Sequence, residues 1–175
     1  MILDARELAS MEEFKWKRED SIYGMLEAVE RAIRDYTNNN FQNRSIRFEA
    51  KSEGHMLLGS SPFLRVGDTI QITQSKVNDG LYVVKEILDN AVMVDKELFC
   101  VPYNLVTKVE YPPDVREGAR NILLWEVQNR QKVGVKSETL SRHSVTYYDL
   151  DDSNQVMGYP VSLLGFLKPY MKARF

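Results

Sequence analysis

The hydrophobic period of this chain changes twice along its length. Up to about residue 43, and again after Pro112-Pro113, apolar residues recur at helical spacing; between these points they alternate with polar ones. A helix gathers its apolar residues at i, i+3, i+4 and i+7, whereas a strand gathers every second residue, so no regular element can run through either switch. The pattern therefore predicts an α+β protein. Residues 1–43 plus 112–175 form a small helical bundle, and residues 44–111 form an inserted β domain.

The first segment with helical spacing is Asp4 to Phe14, where Leu8, Met11 and Phe14 lie three apart and Asp4 is suited to an N-cap. A stronger stripe runs from Ser21 to Tyr36 through Ile22, Met25, Leu26, Val29 and Ile33. Asp20 or Ser21 is the expected cap, Glu27 precedes Arg31 by four residues in the favoured ion-pair order, and Thr37-Asn38-Asn39-Asn40 ends the helix. Within the insert, Ile46 and Phe48 alternate with charged residues and His55-Met56-Leu57-Leu58 is a short apolar run. Thr69 to Gln74, Leu81 to Leu88, Ala91 to Val94 and Val106 to Tyr111 complete five or six expected strands. Turns are expected at Val66-Gly67-Asp68, at Asn78-Asp79-Gly80 with positive φ at Asp-Gly, and at Asp89-Asn90. This spacing suggests a small barrel or sandwich, and a module of this size suffices for an SH3-like barrel.

Beyond Pro113, which fits a first helical turn, Val115, Ala119, Ile122, Leu123 and Val127 form a stripe widened by Leu124 and Trp125. Gly134 is the expected stop. Lys136 to Tyr148 reads as a strand or long extended arm, Asp149 to Asn154 as a polar acidic loop, and Leu163, Leu164, Leu167 and Tyr170 as a last short helix that Pro169 bends or ends.

Composition bounds function mostly by exclusion. Lys and Arg total 23 against 25 Asp and Glu, a formal charge of −2, which lacks the cationic excess that drives binding to nucleic acid. A single cysteine makes no internal disulfide, no apolar run is long enough to span a membrane, and no signal peptide is visible, so a soluble, intracellular-type protein is expected. Cys100, in Leu98-Phe99-Cys100-Val101, has no adjacent base or cation and is expected to be a buried, inert thiol. His143 lies near serines, but the Gly-x-Ser-x-Gly elbow is missing, so packing or contact is its expected role. Two distant histidines and one cysteine assemble no N/S metal site, and Asp149-x-Asp151-Asp152-x-Asn154 lacks the glycine and distal glutamate of a calcium loop. Glycine-rich phosphate loops are missing as well. The residues thus favour a non-enzymatic protein without cofactors.

Two segments invite contact with other molecules. Lys168 to Phe175 carries three cations among aromatics and no acid, which suits either a solvated helix end or a tail docking into an acidic, partly apolar groove. The arm from Ser137 to Tyr148 can pair within its own chain or add a strand to a neighbouring copy.

Several phrases also bear a family likeness: Arg31-Ala-Ile-Arg-Asp-Tyr-Thr-Asn-Asn-Asn-Phe41, Asn78-Asp-Gly-Leu-Tyr-Val-Val-Lys-Glu-Ile87, Val109-Glu-Tyr-Pro-Pro-Asp-Val115, Ser137-Glu-Thr-Leu-Ser-Arg-His-Ser-Val-Thr-Tyr147 and Gly158-Tyr-Pro-Val-Ser-Leu-Leu-Gly-Phe-Leu-Lys-Pro-Tyr170. In this order they resemble the head–tail connector (adaptor, or head-completion) proteins of long-tailed bacteriophages infecting Gram-positive bacteria. The resemblance runs from about residue 20 to the end; the β insert is an elaboration that smaller members lack. It implies a structural ring of about twelve copies, closed by heterologous contacts, beneath the portal vertex. Such a ring extends the DNA exit channel and receives the stopper or head-completion protein, and its location is the virion, after assembly in the host cytoplasm. Double-stranded DNA is expected to pass without specific binding, in keeping with the near-zero charge. By position, Phe166, Lys168, Tyr170, Lys172, Arg174 and Phe175 become candidates for portal contact, and Arg142, His143 and Tyr147 for contact with a neighbouring subunit or the next ring. The alternative is an SH3-like module on a helical scaffold that binds a protein or peptide.

Overall fold

A computed structural model describes residues 1–129, 137–140, 143–146 and 155–173, with 137–140 and 143–146 described through their backbone. The chain is mixed helix and sheet and divides into two compact units. One comprises Asn40–Tyr111 with Met1, and the other Ile2–Asn39 with Pro112–Phe175.

In the helical unit, α1 is short, Ala5–Ala9, and the Asp4 carboxylate caps it by accepting the Arg6 N–H at 2.8 Å. The expected continuous helix to Phe14 is broken: the Ser10 hydroxyl donates to the Glu7 carbonyl, and a separate 3₁₀ turn, Glu12–Phe14, follows. Leu8 and Phe14 are nevertheless both buried. Helix α2, Glu19–Thr37, buries Ile22, Leu26, Val29 and Ile33. Its N-cap is Arg18 rather than Asp20 or Ser21, and no side chain caps it; Glu19 and Asp20 instead place negative charge in the first turn. Asn38 ends the helix in the left-handed region at φ +48°. Helix α3, Pro113–Asn129, buries Val115, Gly118, Ala119, Ile122 and Leu123, while Leu124, Trp125 and Val127 are half-buried.

The insert is built from fewer and longer strands than its sequence suggests. Strand β1 is Gln42–Leu58, β2 Thr69–Thr73, β3 Gly80–Leu88 and β4 Ala91–Val109. They form one antiparallel sheet in the order β1-β4-β2-β3, with an additional β4–β3 pairing; it is not closed into a barrel. Strands β1 and β4 pair from Gln42↔Val109 to Leu57↔Val92 through several register shifts. Gly54, at φ +59°, occupies one shift, and Pro102, which has no N–H to give a ladder, lies at another between the Ala50 and Ser52 pairings. Leu57, Ile70, Ile72, Val84, Val92 and Val106 fill the core of the sheet.

Beside that core lies a buried polar cluster. Asn78 and Asn104 are 1% and 0% exposed. The Asn78 amide pairs with both backbone groups of Phe99, donating to its carbonyl at 2.9 Å and accepting its N–H at 2.8 Å. The Ser52 hydroxyl accepts from Asn78 and Asn104 and donates to the Phe99 carbonyl. The β2–β3 connection also departs from the tight Asp-Gly turn: its positive φ values fall at Gln74 and Lys76, and the Asp79 carboxylate accepts the Ser75 N–H.

Beyond α3, β5 (Ser137–Leu140) and β6 (His143–Thr146) pair antiparallel with each other, so of the two expected pairings the one within the chain is formed. Strands β7 (Gln155–Val156) and β8 (Tyr159–Pro160) are joined by Met157 and Gly158, both at positive φ. The last helix, Val161–Tyr170, is 3₁₀ rather than α; its three-residue period brings Leu164, Leu167 and Tyr170 onto one edge. Leu164 and Leu167 are buried, and Trp125 meets Tyr159 edge-on at 5.8 Å. The stop expected at Gly134 and the acidic loop Asp149 to Asn154 lie outside the described residues.

Candidate functional site

The C-terminal strip of the helical unit collects most of the residues singled out by sequence that the structure describes. Phe166 is half-buried, and its ring lies where a Cβ on Gly118 of α3 would stand. Its near face is therefore committed to packing within the chain. Lys168, near the end of the 3₁₀ helix, is exposed. Tyr170 closes that helix and donates its hydroxyl to the Asp114 carboxylate, 2.8 Å from either oxygen. This hydrogen bond raises the phenol above the ordinary tyrosine value, with burial and the Asp114 charge acting in the same direction.

The chain then runs extended past Met171, where φ −66° and ψ 131° end the helix. The Lys172 N–H donates to the Thr37 carbonyl at 2.8 Å, the Asn38 amide to the Ala173 carbonyl at 2.8 Å, and the Asn39 amide to the Tyr170 carbonyl at 3.1 Å. The side chains of Lys168, Met171 and Lys172 are exposed. Neither ammonium group has a carboxylate partner among the described residues. This arrangement offers two cations and a thioether on a backbone held by hydrogen bonds.

Arg174 and Phe175, at the end of the same strip, lie outside the described residues, as do Arg142 and Tyr147. His143 is the first residue of β6, opposite Leu140. Thr37, Asn38, Asn39 and Asp114 are tail contacts that no motif in the sequence marks. The polar run that ends α2 was itself the available signal: it terminates a helix and also carries spare amide donors.

Cys100 corrects its expectation. It is exposed, because β4 extends through Phe99–Tyr103, where no side chain is buried, and Leu98 is the nearest buried apolar side chain. Among the described residues no group of three His, Cys, Asp or Glu side chains is arranged to hold a metal ion, and no helix is long and apolar enough to cross a membrane. Comparison with protein-family models gives no match for this chain, and comparison with curated proteins gives none either.

Proposed function

We propose that this chain is a structural, non-enzymatic adaptor of a long-tailed bacteriophage. In this reading about twelve copies close a ring by heterologous contacts beneath the portal, extend the DNA exit channel and receive the stopper protein. The observation that carries the reading is the C-terminal strip. In the ordered phrases that resemble phage connectors, this segment is the one expected to touch the portal, and here its Lys168 and Lys172 side chains stand exposed on a tethered backbone. The formal charge of −2 suits a conduit that lets DNA slide. The test is negative-stain imaging of the protein mixed with the portal protein of the same virus. Rings are expected with the natural chain and none with Lys168→Glu/Lys172→Glu, whose exposed positions leave the fold unaffected. Rings formed equally well by that variant overturn the role of the strip.

A second reading is favoured by the sheet unit. Phe63 and Phe99 are 66% and 69% exposed there, and large exposed aromatics on an antiparallel sheet suit a module that recognises a peptide or protein. In that case Phe63→Ser or Phe99→Ser abolishes partner capture while the charge reversal in the tail leaves it intact.

A further inference from the structure

The bonds that hold the C-terminal strip grip mainly its main chain. The Tyr170 carbonyl, the Lys172 N–H and the Ala173 carbonyl are taken by Asn39, Thr37 and Asn38, and Tyr170 contributes its hydroxyl to Asp114. A contact that stored the tail away from partners would cover its side chains. Here Lys168, Met171 and Lys172 project into solvent while the backbone behind them is engaged. Ordering a flexible terminal segment at the moment of binding subtracts from affinity, and a segment ordered in advance avoids that loss.

We propose that Asn38 and Asn39, assisted by Asp114, are positioning residues that preorganise the strip Lys168–Ala173 for an acidic, partly apolar protein surface. The inference rests on the docking role proposed above and names the residues that tune it. None of the three touches the partner in this scheme; they act through the tail backbone.

The test uses the full chain with Asn38→Gly/Asn39→Ala. Glycine accepts the left-handed conformation of residue 38, so the end of α2 keeps its shape while both side-chain tethers are lost. Amide exchange at Lys172 in the isolated protein is expected to accelerate, with the far-ultraviolet circular dichroism unchanged. Affinity for the portal protein is expected to fall about tenfold. Unchanged affinity despite faster exchange overturns the inference, and tighter binding overturns it in favour of a tail that is held back. A Lys172 amide that already exchanges freely in the natural chain overturns it as well. Failure of the natural chain to bind portal overturns the docking role, and this inference with it; that outcome is recognised without any variant. Should the double variant not fold, Asp114→Ala removes the tether on the Tyr170 hydroxyl without altering the strip itself, and a smaller loss of affinity in the same direction is expected.

Discussion

The amide of Asn78 takes the place of a missing strand partner. It meets both the N–H and the carbonyl of Phe99, while the main-chain carbonyl of the same residue accepts the Tyr82 hydroxyl at 3.0 Å. Replacing it with alanine takes the partner from the Phe99 N–H, leaves the Phe99 carbonyl to Ser52 alone, and removes a donor from Ser52 and Asn104 together. Asn78→Ala is therefore expected to cost about 2–4 kcal/mol, read as a lower urea midpoint at unchanged slope. Sequence marked Asn78 only as a turn former, because the residue it serves lies twenty-one positions away and nothing local announces the pairing. Tyr170 offers a second test. Its hydrogen bond to Asp114 favours the protonated phenol, so the contact is fully present below the ordinary tyrosine range and is lost as pH rises through the elevated value. Tyr82 is also raised, first by burial and then by Asp95 and Asp79. Tyr82 and Tyr170 are both expected to ionise late in an ultraviolet titration to high pH, and Tyr170→Phe should remove one late step and leave the other.

At the scale of elements, helices were legible and long strands were not. Ile22, Leu26, Val29 and Ile33 are adjacent on α2 and all buried, so the stripe alone located that face. The alternation in β1 and β4 looks fragmentary because Gly54, Pro102 and exposed Phe99 interrupt it, yet each interruption falls at or near a shift in register and the strand continues through it. The meeting of α3 with the last helix depends on a further feature that spacing does not show. Gly118 has no side chain where the Phe166 ring packs. Alanine is the better helix former by about 1 kcal/mol, but here its methyl overlaps the ring. Gly118→Ala is expected to lower stability by about 1–3 kcal/mol, and Phe166→Leu in the same chain to restore part of it. Thermal melts of the single and double variants decide this. Equal or raised stability in Gly118→Ala would show that the ring moves aside freely and is available to a partner.

At the scale of the whole molecule, the two changes of period fall beside the residues where β1 begins, Gln42, and where α3 begins, Pro113. The stretch between them closes on itself. Gln42 pairs with Val109, the Phe41 carbonyl accepts the Glu110 N–H at 2.9 Å, and the rings of Phe41 and Tyr111 lie 4.9 Å apart. Because paired strand residues stand about 5 Å apart, a three-residue Gly-Ser-Gly linker can join Phe41 to Glu110 and omit residues 42–109. The helical chain that results keeps α2, α3 and their buried stripes, so a helical circular dichroism spectrum and cooperative melting are expected. This shortened chain separates the two functional readings. If the C-terminal strip carries the role, it still forms rings on the portal, because Lys168, Lys172 and their tethers on Thr37, Asn38 and Asn39 are all retained. If the sheet carries the role, the shortened chain folds but captures nothing. Retained folding with lost ring formation would move the site of recognition to the exposed aromatics Phe63 and Phe99, and would leave the cationic strip as a solvated helix end.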